Sequence, residues 1–210
     1  MDRRSPSPAR EQNPDKAEAI LAGALEVFTT DGYAAASMSR IAAAAKVSKP
    51  TLYSYFQDKE GLFVALIQKL TQRNRAMLFD SLSEPMAEVD PEQILRRIAA
   101  TMLKEFSTNP PLMTLMRLII GESERFPHLA QTFVREVQKP LLDRLTVYLG
   151  SQPQLNLPDP AVAARVFSGT LVHYLIVQKV LNGDKLLPLE SDRLVDGLVQ
   201  ILTSTALPRD

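Results

Sequence analysis

The chain has 210 residues, of which 24 are basic and 24 acidic, so its formal net charge is +0. It contains no cysteine, which excludes disulfides, thiolate metal sites and thiol catalysis. The balanced charge argues against non-specific coating of nucleic acid but permits a local basic patch.

The N-terminal residues 1–12 are polar, contain Pro6 and Pro8, and are expected to form a disordered arm. They have no apolar core, so they do not predict a signal peptide. The longest apolar segment lies within 161–181 and carries Arg165, His173 and Lys179, whereas a membrane span needs roughly 18 or more apolar residues with few charges. We therefore expect a soluble, cytoplasmic protein with no membrane partner.

Apolar residues recur at helical spacing along most of the chain, which predicts an all-α fold of about nine helices without strands. Four Asx-Pro pairs predict helix starts, because the Asx side chain caps backbone N–H groups and proline fits the first helical position. These pairs are Asn13-Pro14, Asp90-Pro91, Asn109-Pro110 and Asp159-Pro160. The predicted helices cover 14–30, 37–45, 48–56, 58–80, 91–107, 111–121, 127–150, 160–182 and 190–206, with a loop at 81–90.

Single residues refine these boundaries. Asp31-Gly32 should stop the first helix, with Gly32 in a left-handed cap. Ser37, Ser48 and Asp58 can cap the next three helices. Pro140 lies inside the helix predicted at 127–150 and should kink or split it.

The stretch SMSRIAAAAKVSKPTLYSYF, from Ser37 to Phe56, contains Arg40, Lys46 and Lys49, three aromatic residues and no acidic residue. Its pattern predicts two short helices joined by a tight turn, the arrangement that places a second helix in the DNA major groove. Lysine, threonine and tyrosine on that helix offer groups for phosphates and base edges. A solvated surface is the alternative interpretation of each residue taken alone, but the whole arrangement favours DNA binding.

Residues 37–63, SMSRIAAAAKVSKPTLYSYFQDKEGLF, resemble the helix-turn-helix and linker of the TetR family of bacterial transcriptional regulators. The preceding AILAGALEVFTTDGYAAASM resembles the first helix of that family and its Phe-x-x-x-Gly-Tyr corner. The resemblance implies an arm at 1–12, a DNA-binding domain at 13–59 with a linking helix at 58–80, and a regulatory and dimerisation domain at 81–210. The DNA contacts it implies are Ser39, Arg40, Ser48, Lys49, Thr51, Tyr53, Tyr55 and Lys59.

Two residues depart from the family pattern. Lys46 stands where a turn glycine is usual, at a cost of roughly 1 kcal/mol in backbone strain. Pro50 stands where glycine is common, and it removes one amide that could meet a phosphate.

The segment MRLIIGESERFPHLAQTFVREVQKPLLDRL resembles the regulatory domain of the AefR-like branch of the family. Its Phe126-Pro127 pair predicts a helix-breaking corner, and Arg117 and Glu122 could pair within or across helices. The resemblance implies a small-molecule inducer, for which we expect an apolar or aromatic compound. Residues that either line its cavity or fill an ordinary core are Met102, Phe106, Met113, Met116, Phe133, Phe167 and Tyr174.

The last two helices are strongly apolar, and the resemblance places them in a four-helix bundle between two copies of the chain. The expected interface residues of this homodimer are Ala164, Ser168, Val172, Leu175, Leu194, Leu198 and Leu202. No metal site or cofactor is expected, because His128 and His173 are far apart in the chain and cysteine is absent.

These features predict a ligand-responsive repressor that binds a palindromic operator in double-stranded DNA. An enzyme is disfavoured because the sequence shows no nucleophile–base spacing, Gly-rich phosphate loop or metal cluster. A helical interaction scaffold and a transcriptional activator of the same fold remain alternatives.

Overall fold

A computed structural model of the chain describes residues 14–81 and 90–204, with side chains described for 14–72 and 90–204. These residues form helices and no strand, which confirms the all-α prediction. The helices are α1 (Pro14–Ala35), α2 (Met38–Ala44), α3 (Lys49–Tyr55), α4 (Lys59–Ser81), α5 (Pro91–Thr108), α6 (Pro110–Glu122), α7 (Pro127–Phe133), α8 (Lys139–Gly150), α9 (Pro160–Leu175) and α10 (Ser191–Thr203).

The predicted caps are confirmed wherever the structure describes them. Asp90, Asn109 and Asp159 each accept a hydrogen bond from a backbone N–H in the first turn of α5, α6 and α9, respectively. Asp58 Oδ1 accepts from Gly61 N–H at 2.7 Å at the start of α4. The arm at 1–12, the cap at Asn13, the greater part of the 81–90 loop and the last residues of the helix predicted at 190–206 lie outside the described residues.

Pro140 disturbs its helix one turn earlier than its own position. A π-helical turn at Val134–Gln138 joins α7 to α8 without a break in the helical path. Proline has no N–H, so the carbonyls of the preceding turn cannot pair in the ordinary helical register there, and the wider turn is one accommodation. The predicted kink or split thus takes the form of a π turn, and a second π turn at Ile176–Val180 extends α9.

The chain divides into two compact units, one ending at Leu66 and the other beginning at Ile67. This boundary falls within α4, inside the helix predicted to link the domains. The first unit holds α1 to α3 and the start of α4, and the second holds the later helices.

An aromatic cluster organises the first unit. The rings of Phe28, Tyr33 and Phe63 lie 5.4 to 5.7 Å apart between centroids, and all three side chains are buried. Gly32, at φ 77° and ψ 162°, bends α1 just before Tyr33. The predicted break at Asp31-Gly32 is confirmed, because Gly32 is non-helical with a positive φ, and a short helical segment that was not predicted follows it as far as Ala35.

The core of the second unit is built from α5, α8, α9 and α10. Its largest fully enclosed side chains include Leu95, Ile98 and Phe167. The helical stretch Pro160–Val180 is long and apolar enough to span a membrane by composition, with a mean hydropathy of 1.4. Its inner face forms this core instead, since Ala164, Phe167 and Leu171 are buried within a single chain.

Candidate nucleic-acid interface

The turn between α2 and α3 is closed by two backbone hydrogen bonds that characterise a Schellman motif. Lys46 N–H donates to Ala43 O at 3.1 Å, and Val47 N–H donates to Ala42 O at 3.0 Å. Lys46 has φ 55°, the left-handed conformation that glycine adopts most easily. The predicted strain at Lys46 is therefore confirmed.

The second helix of this pair, α3, starts at a capped turn. Ser48 Oγ accepts from Thr51 N–H at 3.2 Å and lies 2.8 Å from the Thr51 hydroxyl. Pro50 lies in the first turn, where its missing N–H has no helical acceptor to lose. Leu52 is fully buried and anchors the inner side of α3 in the first unit.

The end of α3 lies one residue earlier than predicted. Phe56 was expected to be its last residue, but the helix ends at Tyr55, and Phe56 has an extended backbone at φ −136° and ψ 122°. Only residues 56–58 are available to redirect the chain into α4, so the helix must end before them. Phe56 N–H still donates to Leu52 O at 3.0 Å. Phe56 is therefore the C-terminal cap residue of α3, with a half-buried side chain whose ring centroid lies 6.4 Å from that of Tyr55.

Helix α1 packs closely against the end of α2, next to the turn. A Cβ added to Gly23 would lie 2.7 Å from the backbone nitrogen of Ala45, closer than side-chain atoms normally come. Glycine is therefore required at this contact, and α2 and α3 are held in place by backbone packing as well as by their buried side chains.

The outer surface of α2, the turn and α3 presents basic and hydroxyl groups. Lys46, Lys49 and Tyr53 are exposed, Tyr53 to 51%. Among the other predicted contacts, Ser39, Arg40 and Ser48 are exposed, while Thr51, Tyr55 and Lys59 are half-buried. Since residues 37–56 contain no acidic residue, this surface suits a polyanion.

Arg40 has an acidic partner from outside that stretch. Its Nη2 lies 2.9 Å from Oδ1 of Asp31, whose side chain is only 11% exposed. The pair ties the end of α1 to α2. The Arg40 side chain is 59% exposed and therefore remains at the surface, but Asp31 partly neutralises its charge.

Lys59 differs from the other predicted contacts. Its Nζ donates to Tyr33 O at 2.7 Å and to Ala36 O at 3.1 Å, and it lies 3.5 Å from Ala34 O. The same ammonium lies 4.3 Å from the centroid of the Tyr33 ring, which is a cation–π contact. Burial, together with the charges of Glu60 and Asp58, raises the pKa of Tyr33 to about 12, so this ring stays neutral at physiological pH.

Lys46 is absent from the DNA contacts predicted from the sequence. The sequence pattern indicates only strain at this position, although a lysine where glycine is favoured is itself a signal of another role. The structure places this exposed ammonium-bearing side chain in the turn that leads directly into α3.

The residues predicted to line an inducer cavity all belong to the second unit. Met102 and Phe167 are buried in its core, and Phe106 and Tyr174 pack against that core. Met113 of α6 and Phe133 of α7 are also buried, on helices that contact each other, and Met116 is half-buried. This packing is the one expected of ordinary core residues. That the same residues line an inducer cavity remains a proposal.

The dimer interface predicted from the sequence stays a prediction. Five of its residues are buried within a single chain: Ala164, Ser168, Leu175, Leu198 and Leu202. Val172 and Leu194 are half-buried against the same core. The open face of α9 instead carries Val162, Val166, Gly169 and His173, and that of α10 carries Gly197 and Ile201.

Arg117 makes a different contact from the predicted pairing with Glu122. Its Nη2 donates to Lys179 O at 2.7 Å, and its Nε is 3.5 Å from Val180 O. It thus caps the π-helical end that follows α9 with a charge that favours a helix C-terminus. The Phe126-Pro127 corner is confirmed, because Phe126 is the N-terminal cap residue of α7 and Pro127 is its first residue.

Among the residues that the structure describes, no cluster of three or more His, Asp or Glu side chains could hold a metal ion.

Two family models match the chain. Residues 20–66 match the model for bacterial regulatory proteins of the tetR family, and residues 93–204 match the C-terminal domain of AefR-like transcriptional repressors. The second match covers more than half of the chain. The chain belongs to the TetR family.

Individual TetR-family proteins resemble it to different extents. The regulator EthR of Mycolicibacterium smegmatis is 34% identical over 102 residues, which are 49% of this chain and 46% of EthR. The activator FasR of the same organism is 48% identical over 50 residues, or 24% of this chain. The match thus spans about half the length of EthR and less of FasR.

Solved structures extend the similarity across both units. The flavonoid-responsive regulator FrrA is 27% identical to this chain with a TM-score of 0.74, and the match covers 94% of this chain and 100% of FrrA. The fold shared with FrrA therefore extends over the second unit as well as the helix-turn-helix.

Proposed function

We propose that this protein is a ligand-responsive transcriptional regulator that binds operator DNA as a homodimer. The observation that carries the proposal is the acid-free surface of α2 and α3, where Lys46, Lys49 and Tyr53 are exposed on a capped helix pair. TetR-family membership supports the same function and, with it, a cytoplasmic location.

In this proposal α3 enters the major groove. Tyr53 presents an aromatic face and a hydroxyl to base edges or thymine methyl groups, and Thr51 and Tyr55 support it from half-buried positions. Lys46 and Lys49 neutralise phosphates on either side of the groove, and Ser39, Ser48 and Arg40 add contacts to the sugar-phosphate backbone. Specificity then rests on few side chains, while affinity depends on salt.

Dimerisation in this proposal uses the open faces of α9 and α10. Val162, Val166 and Ile201 are exposed to 54%, 46% and 65%, which is unusual for apolar residues grouped on helix faces. Gly169 and Gly197 have no atoms near their missing Cβ positions, so another helix could approach closely there. A two-fold dimer presents two copies of α3 to two half-sites of a palindrome.

Repression is the favoured direction of regulation. The C-terminal match is to AefR-like repressors and covers residues 93–204, whereas the FasR activator matches only 50 residues. The direction depends on where the operator lies relative to the promoter, so activation is the second candidate.

For the inducer we propose a small apolar or aromatic compound that binds the second unit. Three methionines, at 102, 113 and 116, can adapt to irregular ligand shapes, and Phe133 and Phe167 can stack on a ring. FrrA is described as flavonoid-responsive, and flavonoids are aromatic compounds of this kind. The inducer would favour a dimer form whose α3 separation mismatches the operator.

The experiment that tests DNA binding is a mobility-shift assay with the intergenic DNA upstream of the protein's own gene, with excess competitor DNA. We expect a discrete shift for the wild type and a large loss for the Lys49→Ala/Tyr53→Ala variant, whose fold and dimer should persist. A matched control is Lys185→Ala, which removes an exposed lysine from the second unit. Equal shifts for all three proteins would contradict the assignment.

The inducer proposal has its own test. A thermal-shift screen with flavonoids and other apolar compounds should raise the unfolding temperature for a subset of them, and the same compounds should release the bound DNA. Stabilisation without release, or release by polar compounds alone, would contradict the proposed inducer class.

A further inference from the structure

We propose that Lys59 is a positioning residue that sets the orientation of α3, and that it makes no contact with a DNA phosphate. This inference rests on the proposed DNA-binding function and assigns one residue of that site a different role. It starts from the contacts that the Lys59 ammonium group makes with the end of α1 and the residue that follows it.

The Lys59 ammonium group already donates hydrogen bonds to backbone carbonyl groups of the protein. An ammonium has three N–H donors, and Lys59 directs them towards the carbonyl oxygens of Tyr33 and Ala36, at 2.7 and 3.1 Å, with Ala34 O at 3.5 Å. The Tyr33 ring lies 4.3 Å away on another side. A phosphate could gain the ammonium only if these contacts were given up.

The carbonyl groups that Lys59 binds belong to the residues that follow the bend in α1. Gly32 departs from helical geometry at φ 77°, and the backbone beyond it runs through Tyr33 and Ala34 to the start of α2. Carbonyl groups at such a helix end need donors. Lys59 satisfies several of them from a position 26 residues later than Tyr33.

The consequence for α3 follows from chain connectivity. Only residues 56–58 separate the end of α3 at Tyr55 from Lys59, the first residue of α4. A clamp between Lys59 and the end of α1 therefore fixes both sides of the helix-turn-helix, since α2 begins directly after the clamped carbonyls. Without the ammonium, the angle at which α3 meets the groove is no longer held from its C-terminal side.

The test compares Lys59→Met with Lys49→Met in the full-length protein. Methionine retains an apolar stem of similar length and removes only the charge and its donors. Binding to the DNA that shifts the wild type is measured by fluorescence anisotropy over a series of salt concentrations, below the unfolding temperature of each protein. Each phosphate contact contributes about 0.9 to the slope of log affinity against log salt.

We expect Lys59→Met to weaken binding about tenfold at every salt concentration, comparable to the loss of one good base contact, with an unchanged slope. Lys49→Met should lower the slope by about 1.8, because a dimer loses one phosphate contact, worth about 0.9, in each subunit. Hydrogen exchange of the backbone amides in 33–37 should become faster in Lys59→Met and remain unchanged in Lys49→Met.

Two results would overturn the positioning role. A slope lowered by about 1.8 in Lys59→Met, which is about 0.9 for each subunit of the dimer, would make Lys59 a phosphate contact. Wild-type affinity in the folded Lys59→Met protein would make the clamp purely structural. Failure of the wild type to bind DNA would instead reject the proposed function, and the exchange rates would then show separately whether the clamp exists.

Discussion

At the scale of single residues, Lys46 combines an unfavourable backbone conformation with a favourable charge. Its φ of 55° is one that glycine would adopt with less strain, yet a lysine occupies it at the entrance to α3. Stability therefore favours glycine at position 46, whereas DNA binding favours lysine. Replacing Lys46 with glycine should change the two properties in opposite directions.

We predict that Lys46→Gly stabilises the protein by about 0.5–1 kcal/mol while it weakens DNA binding. The salt slope of binding should fall by about 1.8, because one phosphate contact, worth about 0.9, is lost in each subunit of the dimer. Urea unfolding and anisotropy titrations measure the two effects. Asn156→Gly, at φ 46° in the second unit, is the matched control, which relieves a similar conformation without a DNA effect. Unchanged affinity in Lys46→Gly would refute the contact.

Tyr148 offers a second prediction at this scale. Its hydroxyl is buried without a hydrogen-bond partner among the described residues, and burial raises its pKa to about 12. Because this folded-state pKa exceeds the ordinary value near 10, ionisation favours the unfolded chain. The stability of the wild type is therefore unaffected by this group below pH 10 and is lowered as the pH rises from 10 to 12.

Tyr148→Phe should therefore raise the free energy of unfolding by about 1 kcal/mol at pH 7, because it removes an unpaired buried hydroxyl. It should also flatten the loss of stability between pH 10 and 12. Denaturant unfolding as a function of pH measures both. Tyr174→Phe, whose side chain is half-buried, serves as the control with a smaller effect. A variant clearly less stable than the wild type would show that the hydroxyl is well satisfied.

At the scale of elements, the helix starts were predictable because cap chemistry is local. Asp90, Asn109 and Asp159 lie next to the N–H groups that they bind, so the sequence alone contains both partners. The bend at Gly32 was predictable as a break, but the helical residues after it were not. Their carbonyls depend on Lys59, a partner that local sequence cannot identify.

The contact beneath the α2–α3 turn gives a prediction for this scale. Gly23→Ala would place a Cβ 2.7 Å from the Ala45 backbone nitrogen, so α1 and the turn must move apart. We expect a loss of about 1–3 kcal/mol in stability, together with weaker DNA binding. Gly121→Ala on α6, where the added Cβ meets no atom within 4 Å, should be neutral or stabilising. Equal stability of the two variants in urea would contradict the close approach.

At the scale of the whole molecule, the sequence predicted which helices are apolar but not which of their faces stay open. Periodicity marks Ala164, Leu175 and Leu198 as core-facing, and it cannot tell whether the core belongs to one chain or to two. Tertiary packing decides this, because α5 and α8 cover those side chains within the same chain and leave Val162 and Val166 exposed. These exposed valines support the interface that we propose for the dimer.

Val166→Asp tests that interface. A carboxylate on the open face of α9 would have to be buried unpaired between two chains, so the dimer should dissociate. We expect the mass of one chain by light scattering at micromolar concentration, against the mass of two for the wild type. Val147→Asp on α8, where valine is 71% exposed, should leave the mass unchanged. A Val166→Asp protein that remains dimeric would place the interface elsewhere.

A dimer that binds two half-sites through α3 should select a characteristic sequence from random double-stranded DNA. Purified wild-type protein should enrich inverted repeats with half-site centres about one helical turn, or a multiple of it, apart. The Lys49→Ala/Tyr53→Ala protein should enrich no sequence. Enrichment of the same repeats by both proteins, or failure of the folded wild-type dimer to enrich any repeat, would contradict the account.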